Sequence, residues 1–476
     1  MSDYKAVIGL EVHAVLATDS KIYCGCSTDF GGEENTHICP GCMGMPGTLP
    51  LLNRKVVDYC MKAGLALNCR INPFSQQDRK HYYYPDLPKG FQLSQLEFPV
   101  CQDGWLDIES EGQTKRIGIN RIHIEEDAGK LIHGVAETQV DLNRGAAGLI
   151  EIVSEPHMSS PEDVYAYMEA LREILLYTGV CNCKMEEGSL RCDVNISIHK
   201  EGEPFGVRTE MKNLNSLSAA KAAAAYEIKR QEKVLEEGGK LFQATLRWDD
   251  EKGVNSVMRV KEFADEYYYF PEPDIAPIII SAEEVEAVRA ALPELPKSRR
   301  QRYREKYGLS AYDAGILTVS KALSDMFDQA AAAGAPAKPC ANLIMGDIAR
   351  LLNEKGMEAE EVPFDGVALA ELANLVSQGA ISSSAGSKVM ESMFEPGNAG
   401  KSPKAIMEEQ NLGQVSDVSA LDDMCRDVLE RNPKIVADYK GGRTQAISAL
   451  VGQVMKASGG KANPGMVNQL LQELLK

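Results

Sequence analysis

Arg116–Lys130 reads RIGINRIHIEEDAGK and Val140–Pro156 reads VDLNRGAAGLIEIVSEP. Both are β-like runs that carry carboxylates where carboxylates are costly. In the first, Arg121, His123 and Glu125 share one face of an extended chain and Ile122 and Ile124 the other, and it ends in three consecutive acids, Glu125, Glu126 and Asp127. In the second, Glu151 stands alone between Leu149-Ile150 and Ile152-Val153. Apolar strands of this kind are normally buried, and a lone buried carboxylate is expensive unless a cation or donors meet it. Several such acids converging point to a divalent-metal site and hence to catalysis. The alternative places Glu151 on the open face of an edge strand.

Neighbouring segments extend the pattern. In Val7–His13, Glu11 and His13 point the same way, about 7 Å apart, while Ile8, Leu10 and Val12 face the other side. Leu190, Cys192, Val194, Ile196 and Ile198 alternate with Arg191, Asp193, Asn195 and Ser197. After the turn-rich HKEGEP, Val207, Thr209 and Met211 alternate with Arg208, Glu210 and Lys212. This is a hairpin signal with one apolar face and one face mixing acids with Arg and Lys. A solvated face carries that mixture, and so does one that binds Mg²⁺ through carboxylates and phosphates through cations.

These strands alternate with helices. Ser160 caps a helix with Pro161 at its first position, a Val164-Met168-Leu171-Leu175 stripe and Gly179 at its end. A second, Ala-rich helix runs from about Ser218 to Glu237 and stops at Gly238-Gly239. The class is therefore α+β, a mixed or antiparallel-sheet domain rather than a doubly wound one. Pro293 and Pro296 in LPELPKSRRQRY mark a boundary, with Ser298 expected to cap a basic helix. From there the pattern is helical. The expected domains are 1–292, an all-α domain at 293–406 and a small all-α tail at 407–476.

The chain has 476 residues, 25% charged and 44% hydrophobic, which is ordinary for a globular protein of several domains. No long apolar run predicts a membrane span, and the N-terminus shows no signal-peptide pattern, so the expected location is the cytoplasm. All seven histidines and ten of the twelve cysteines precede residue 200, so the chemistry is concentrated there. A net charge of −18 argues against a general DNA or nucleic-acid binder. From Lys434 onward, however, six basic residues stand against two acids, a local +4 that leaves −22 for the remainder. A basic tail of this kind fits local RNA contact, and short solvated helices equally.

Cys24-Gly-Cys26, twelve residues, then Cys39-Pro-Gly-Cys42 is a zinc pattern: two thiolate pairs on tight turns able to close a tetrahedral site. Four thiolates leave no open position, so the role expected of Zn²⁺ is structural, within a loop spanning residues 24–42. His37 is the alternative ligand. Cys181 and Cys183 form a further pair with no second pair near them in sequence. There is no GxxxxGK[ST] loop, no GxGxxG turn and no GxSxG elbow. Any ATP phosphates would have to be held through metal ions and strand-borne cations.

GLEVH (9–13), RKHYYYPDLPKGFQLSQ (79–95), HIEEDAGK (123–130), LIEIVSEP (149–156), KMEEGSLRCDVNIS (184–197), EMKNLNS (210–216), YYYFPEPDIAP (267–277) and GQVMKASGGKANP (452–464) occur in the order seen in one family. The chain closely resembles the B subunit of the bacterial aspartyl/glutamyl-tRNA amidotransferase, nearly end to end. One departure is Gly148, where the family usually has Pro.

The resemblance implies a cradle-like catalytic domain similar to that of glutamine synthetase, then a helical domain and a tRNA-binding tail. It implies ATP-dependent amidation of Glu-tRNA(Gln) or Asp-tRNA(Asn), with an amidase A subunit and a small C subunit as partners in a heterotrimer. It assigns Mg²⁺ to His13, Glu126 and Glu151, with Glu11, Glu126 and Glu151 as catalytic residues. Arg191, Asp193, Arg208, Glu210 and Lys212 are then candidates for the nucleotide and a second Mg²⁺, with Lys80, Lys89 and Tyr82–Tyr84 around the entrance. The rivals are a non-catalytic RNA-binding scaffold with a structural zinc, and the archaeal E-type subunit, whose inserted domain a chain of 476 residues leaves little room for.

Overall fold

A computed structural model describes residues 3–260, 267–413, 418–458 and 462–475. Gly459, Gly460 and Lys461 of the tail motif lie outside the described residues. The chain divides into two compact units, Met1–Leu295 and Pro296–Lys476.

The first unit is built on a nine-stranded sheet. Tyr4–Val15 lies near its centre, paired antiparallel with Gly148–Ser154 on one side and Leu190–Lys200 on the other. Beyond Gly148–Ser154 follow Gln113–Glu126, Cys101–Ser110 and the short Arg70–Ile71. Beyond Leu190–Lys200 follow Thr209–Leu214, Ala244–Asp249 and Val254–Val260. Only Thr209–Leu214 and Ala244–Asp249 pair in parallel, with helix Leu217–Glu236 between them in the chain. The sheet is therefore mixed but mainly antiparallel, as the hairpin patterns imply.

Alternation decides what each face carries. Ile8, Leu10, Val12 and Ala14 are fully buried in one core with Ile122, Ile124, Ile150, Ile152, Val194 and Ile196. Helices Arg54–Ala66, Pro161–Thr178 and Leu217–Glu236 supply Met61, Tyr167, Leu171 and Ala220 to the same core. The Ser160 side chain accepts a hydrogen bond from the Asp163 backbone, and Gly179 closes that helix at φ 68°. The opposite face of the central strands holds Glu11, His13, His123 and Glu151. A three-stranded sheet, Tyr268–Pro271, Asp78–His81 and Phe91–Ser94, brings its side chains to that face. Arg79 holds it together with a paired hydrogen bond to buried Glu272 at 2.7 and 2.9 Å.

The second unit is helical and holds two separate hydrophobic clusters. One gathers around Tyr303, Phe327, Ile344, Leu369 and Met390, the other around Leu421, Cys425, Leu450, Val454 and Leu471. Its first helix, Pro296–Tyr307, starts two residues before Ser298, so Ser298 lies within the first turn and is not the cap. Pro296 suits that position because its missing N–H would have no partner there. The division expected at 406/407 falls inside helix Pro403–Glu409, and Leu412 still packs on the first cluster. The preceding proline- and glycine-rich stretch is a turn between packed helices. Among the described residues no helix is long and apolar enough to cross a membrane.

Candidate active site and metal centre

Strand register draws the acids and imidazoles into rows. His123 pairs with Glu151, Glu151 with His13, and His13 with Arg191, a line across four neighbouring strands. The next row carries Arg121, Val153, Glu11 and Asp193. Directly opposed side chains on one face are close neighbours. Both His13 Nε2 and His123 Nε2 lie 3.4 Å from Glu151 Oε2. Glu125, two residues beyond His123 and on the same face, brings Oε1 to 3.3 Å from His123 Nε2.

His13, Glu125 and Glu151 each place a ligand atom within 4.8 Å of the others. The resemblance names Glu126 for this group, but Glu126 points the other way. Its carboxylate accepts hydrogen bonds from Lys89 Nζ at 2.5 and 2.6 Å and from the Leu93 backbone at 2.8 Å. Adjacent residues of a strand face opposite sides, so only one of the pair can join His123 and Glu151, and it is Glu125. Glu125 is further held by Ser94 Oγ at 2.6 Å and Gln92 Nε2 at 3.2 Å, with Lys80 Nζ at 3.9 Å.

The electrostatics are those of a site that attracts a cation. Burial acts against a charged His123, but the Glu151 charge and the hydrogen bonds to Glu125 and Glu151 outweigh it, raising the imidazole to about 9. His13 is raised too, its burial overcome by the hydrogen bond to Glu151. Glu151 is held well below the usual carboxylate range: burial opposes this, and His123, then His13, prevail. Two buried carboxylates thus draw protons onto two imidazoles. Octahedral Mg²⁺, with oxygen ligands at about 2.1 Å, fits donor atoms at these separations.

A second group adjoins the first. Glu11, Asp193 and Glu210 also bring ligand atoms within 4.8 Å of one another. Lys212 Nζ bridges Asp193 at 2.5 Å and Glu210 at 2.9 Å. Asn195 donates to Glu11 at 3.1 Å and Thr245 to Glu210 at 3.1 Å. Burial, then the charges of Glu151, Glu210 and Asp193, raise the Glu11 carboxyl. Arg191 turns to Asp127 at 3.0 Å, where Arg144 also reaches at 3.3 Å. Arg208 lies exposed in the connection before strand Thr209–Leu214, two residues ahead of Glu210. Tyr82 packs against Tyr267, with Lys80 over the Tyr267 ring, while Tyr83 is open to solvent.

The four sulfurs of Cys24, Cys26, Cys39 and Cys42 lie within 4.8 Å of one another. Tetrahedral zinc with bonds of about 2.3 Å needs sulfurs roughly 3.8 Å apart, so the quartet fits. The Cys39 backbone N–H donates to Cys42 Sγ at 3.1 Å, the turn geometry that tight thiolate pairs use. His37 is not of this group; its ring lies against Gly32. Cys181 and Cys183 are buried beside each other, and among the described residues no further ligands join them.

Sequence reasoning passed over Glu125 for the acid group and His123 as the partner of Glu151. The signal was present in the Arg121-His123-Glu125 alternation. What was missing was the register that sets His123 opposite Glu151.

The fold and this face together define a catalytic α+β domain joined to helical domains. Residues 6–286 match the family described as GatB/GatE catalytic domain, and residues 325–475 match the GatB domain. The chain is 54% identical over 474 residues to the B subunit of the aspartyl/glutamyl-tRNA(Asn/Gln) amidotransferase of Caldanaerobacter subterraneus subsp. tengcongensis, covering 99% of each. It is 52% identical over 478 residues to the protein of the same name in Moorella thermoacetica, covering 99% of this chain and 100% of that one. A Thermoanaerobacter relative with that name is 52% identical over 474 residues, again covering 99% of each. The chain belongs to this family of amidotransferase B subunits, proteins whose name places them in a multi-subunit enzyme.

Proposed function

We propose that this chain carries the carboxylate-activating half of tRNA-dependent amidation. The substrate is Glu-tRNA(Gln), Asp-tRNA(Asn) or both. A side-chain carboxylate is a poor electrophile because its leaving group would be oxide. Transfer of the γ-phosphoryl group of ATP turns it into an acyl phosphate, and attack by ammonia then expels phosphate and leaves the amide. The observation that carries this reading is the row His123-Glu151-His13-Arg191, with Glu125 beside it and the Glu11-Asp193-Glu210 group adjoining.

When bound, Mg²⁺ neutralises phosphate charge and orients the transferred group. His13, Glu125 and Glu151 are the residues placed to hold one ion. Glu11, Asp193 and Glu210 are placed to hold one linked to the nucleotide, with Lys212 and Arg191 as neighbouring cations. Glu126 and Glu11 are the candidate bases that take the proton from incoming ammonium. Zn²⁺ at the cysteine quartet holds the 24–42 loop. An amidase A subunit supplies ammonia, a small C subunit completes a cytoplasmic heterotrimer, and the basic tail contacts the tRNA body.

The test uses the assembled complex with its amidase disabled, supplied with free ammonium, ATP, Mg²⁺ and Glu-tRNA(Gln). The native chain should form Gln-tRNA(Gln). Glu151→Gln should bind tRNA yet lose at least about 100-fold in amidation, given that even outer-shell metal partners cost 10–100-fold. Equal rates would leave the acids as structural ion pairs and favour the non-catalytic RNA-binding scaffold.

A further inference from the structure

Lys21 is a fully buried cation, 0% exposed, on the stretch between the central strand and Cys24. Its ammonium has two contacts, the Leu142 carbonyl at 3.2 Å and Cys42 Sγ at 3.9 Å. Among the described residues it forms no ion pair with a carboxylate within 4.0 Å. Most other buried charges of the unit are met by a charge of opposite sign, and buried Asp78 is met by the Leu96 backbone N–H instead. Glu126 has Lys89, Asp163 has Lys115, Glu227 has Arg230 and Glu272 has Arg79. A buried ammonium without a counter-charge is costly, and one carbonyl does not compensate it.

We infer that Lys21 is the counter-cation and outer-sphere hydrogen-bond donor of the thiolate centre. The inference rests on the reading of the four cysteines as a metal site. Four thiolates around a divalent ion carry a net charge of −2, and one ammonium halves it. The N–H···S hydrogen bond draws electron density from Cys42, which weakens that sulfur as a nucleophile while leaving it a ligand.

The surroundings of Cys42 show why this sulfur needs a donor. Cys42 is half-buried and lines a cavity of about 250 Å³ together with Tyr23, Arg79, Lys89 and Glu272. A small molecule in that cavity would meet the sulfur, whereas Lys21, which is not part of the cavity lining, contacts the same sulfur from a buried position. The same loop bears on Lys89: a Cβ added at Gly44 would lie 2.3 Å from Lys89 Cγ. Loosening the thiolate centre would therefore reach the Lys89–Glu126 pair.

The test compares the native full-length chain with Lys21→Met, which keeps length and removes charge, and Lys21→Gln, which keeps an N–H donor without charge. Three readouts are taken: metal release to a chromogenic chelator, the sulfur-to-metal charge-transfer band of the cobalt(II)-exchanged protein, and the alkylation rate of Cys42 by iodoacetamide, followed by mass spectrometry. The expected result is a metal affinity about 10–100-fold lower in Lys21→Met, the range for lost outer-shell partners. Its band should shift, Cys42 should alkylate faster, and Lys21→Gln should fall between. A folded variant of either kind that matches the native chain in release, band and alkylation would overturn the inference while leaving the metal site intact. A native chain that holds no metal would instead remove the metal reading itself.

Discussion

His123 shows how much one buried side chain can reveal. It is 3% exposed, and its partners on the facing strand and on its own are Glu151 and Glu125. Because its folded value is raised from 6.5 to about 9, its contribution to stability is fully present below pH 6.5 and is lost as pH rises through about 9. In Mg²⁺-free buffer the unfolding temperature of the native chain should therefore fall across that window more than that of His123→Gln. Parallel curves for the two proteins would remove His123 from the account. Added Mg²⁺ should flatten the native curve, because the ion takes the place of the protons that the carboxylates otherwise draw in. Part of this site could be read in the sequence and part could not. Glu11 and His13 share a face by alternation alone, and so do His123 and Glu125. Which residue stands opposite Glu151 depends on the register between strands that lie far apart in the chain, and no local pattern encodes that register.

Among elements, the turn leading into strand Phe91–Ser94 and strand Gln113–Glu126 meet through the buried Lys89–Glu126 ion pair, whose side chains are 14% and 1% exposed. Removing one partner of such a pair leaves an uncompensated charge, at a cost of roughly 3–5 kcal/mol. Lys89→Met should accordingly lower the stability of the first unit by about 3 kcal/mol, read from urea unfolding. Adding Glu126→Leu should restore much of that, since the destabilisation comes from the orphaned carboxylate. A single variant as stable as the native chain would show that the pair is dispensable to the fold. The strands and helices were largely legible, because each obeys a local rule. Ser160, Pro161 and Gly179 bracket one helix, and alternation marks Leu190–Lys200. The short strands Asp78–His81 and Phe91–Ser94 were not, since the Tyr- and Pro-rich stretch between them resembles a loop. They pair antiparallel with each other, and Tyr268–Pro271, almost two hundred residues away, adds the third strand alongside Asp78–His81.

At the scale of the molecule, charge and core are distributed differently. The net charge of −18 combines a local +4 from Lys434 onward with −22 before it, so the tail is where the proposed attraction to RNA is electrostatically favoured, while the proposed chemistry is assigned to the acidic first unit. The hydrophobic cores follow the same division. The buried cluster of the first unit runs from Ile8 to Ile280, and the partly buried residues packed on it end at Leu295. Among the described residues none of Pro296–Lys476 contributes to it, so removing that part deletes none of this core. A fragment of residues 1–295 should therefore fold alone, with a single cooperative unfolding transition, and should retain the metal of its cysteine quartet. Its tRNA affinity should fall by at least tenfold, and its amidation of tRNA at low concentration should fall with it, because the basic segment is gone. Circular dichroism, dye binding and metal content check the first part, and a tRNA titration at two salt concentrations checks the second. A fragment that binds a hydrophobic dye and lacks near-ultraviolet dichroism would mean that the first unit depends on the helical part for its packing. A well-folded fragment with undiminished tRNA affinity would move the RNA contact from the tail to the catalytic unit.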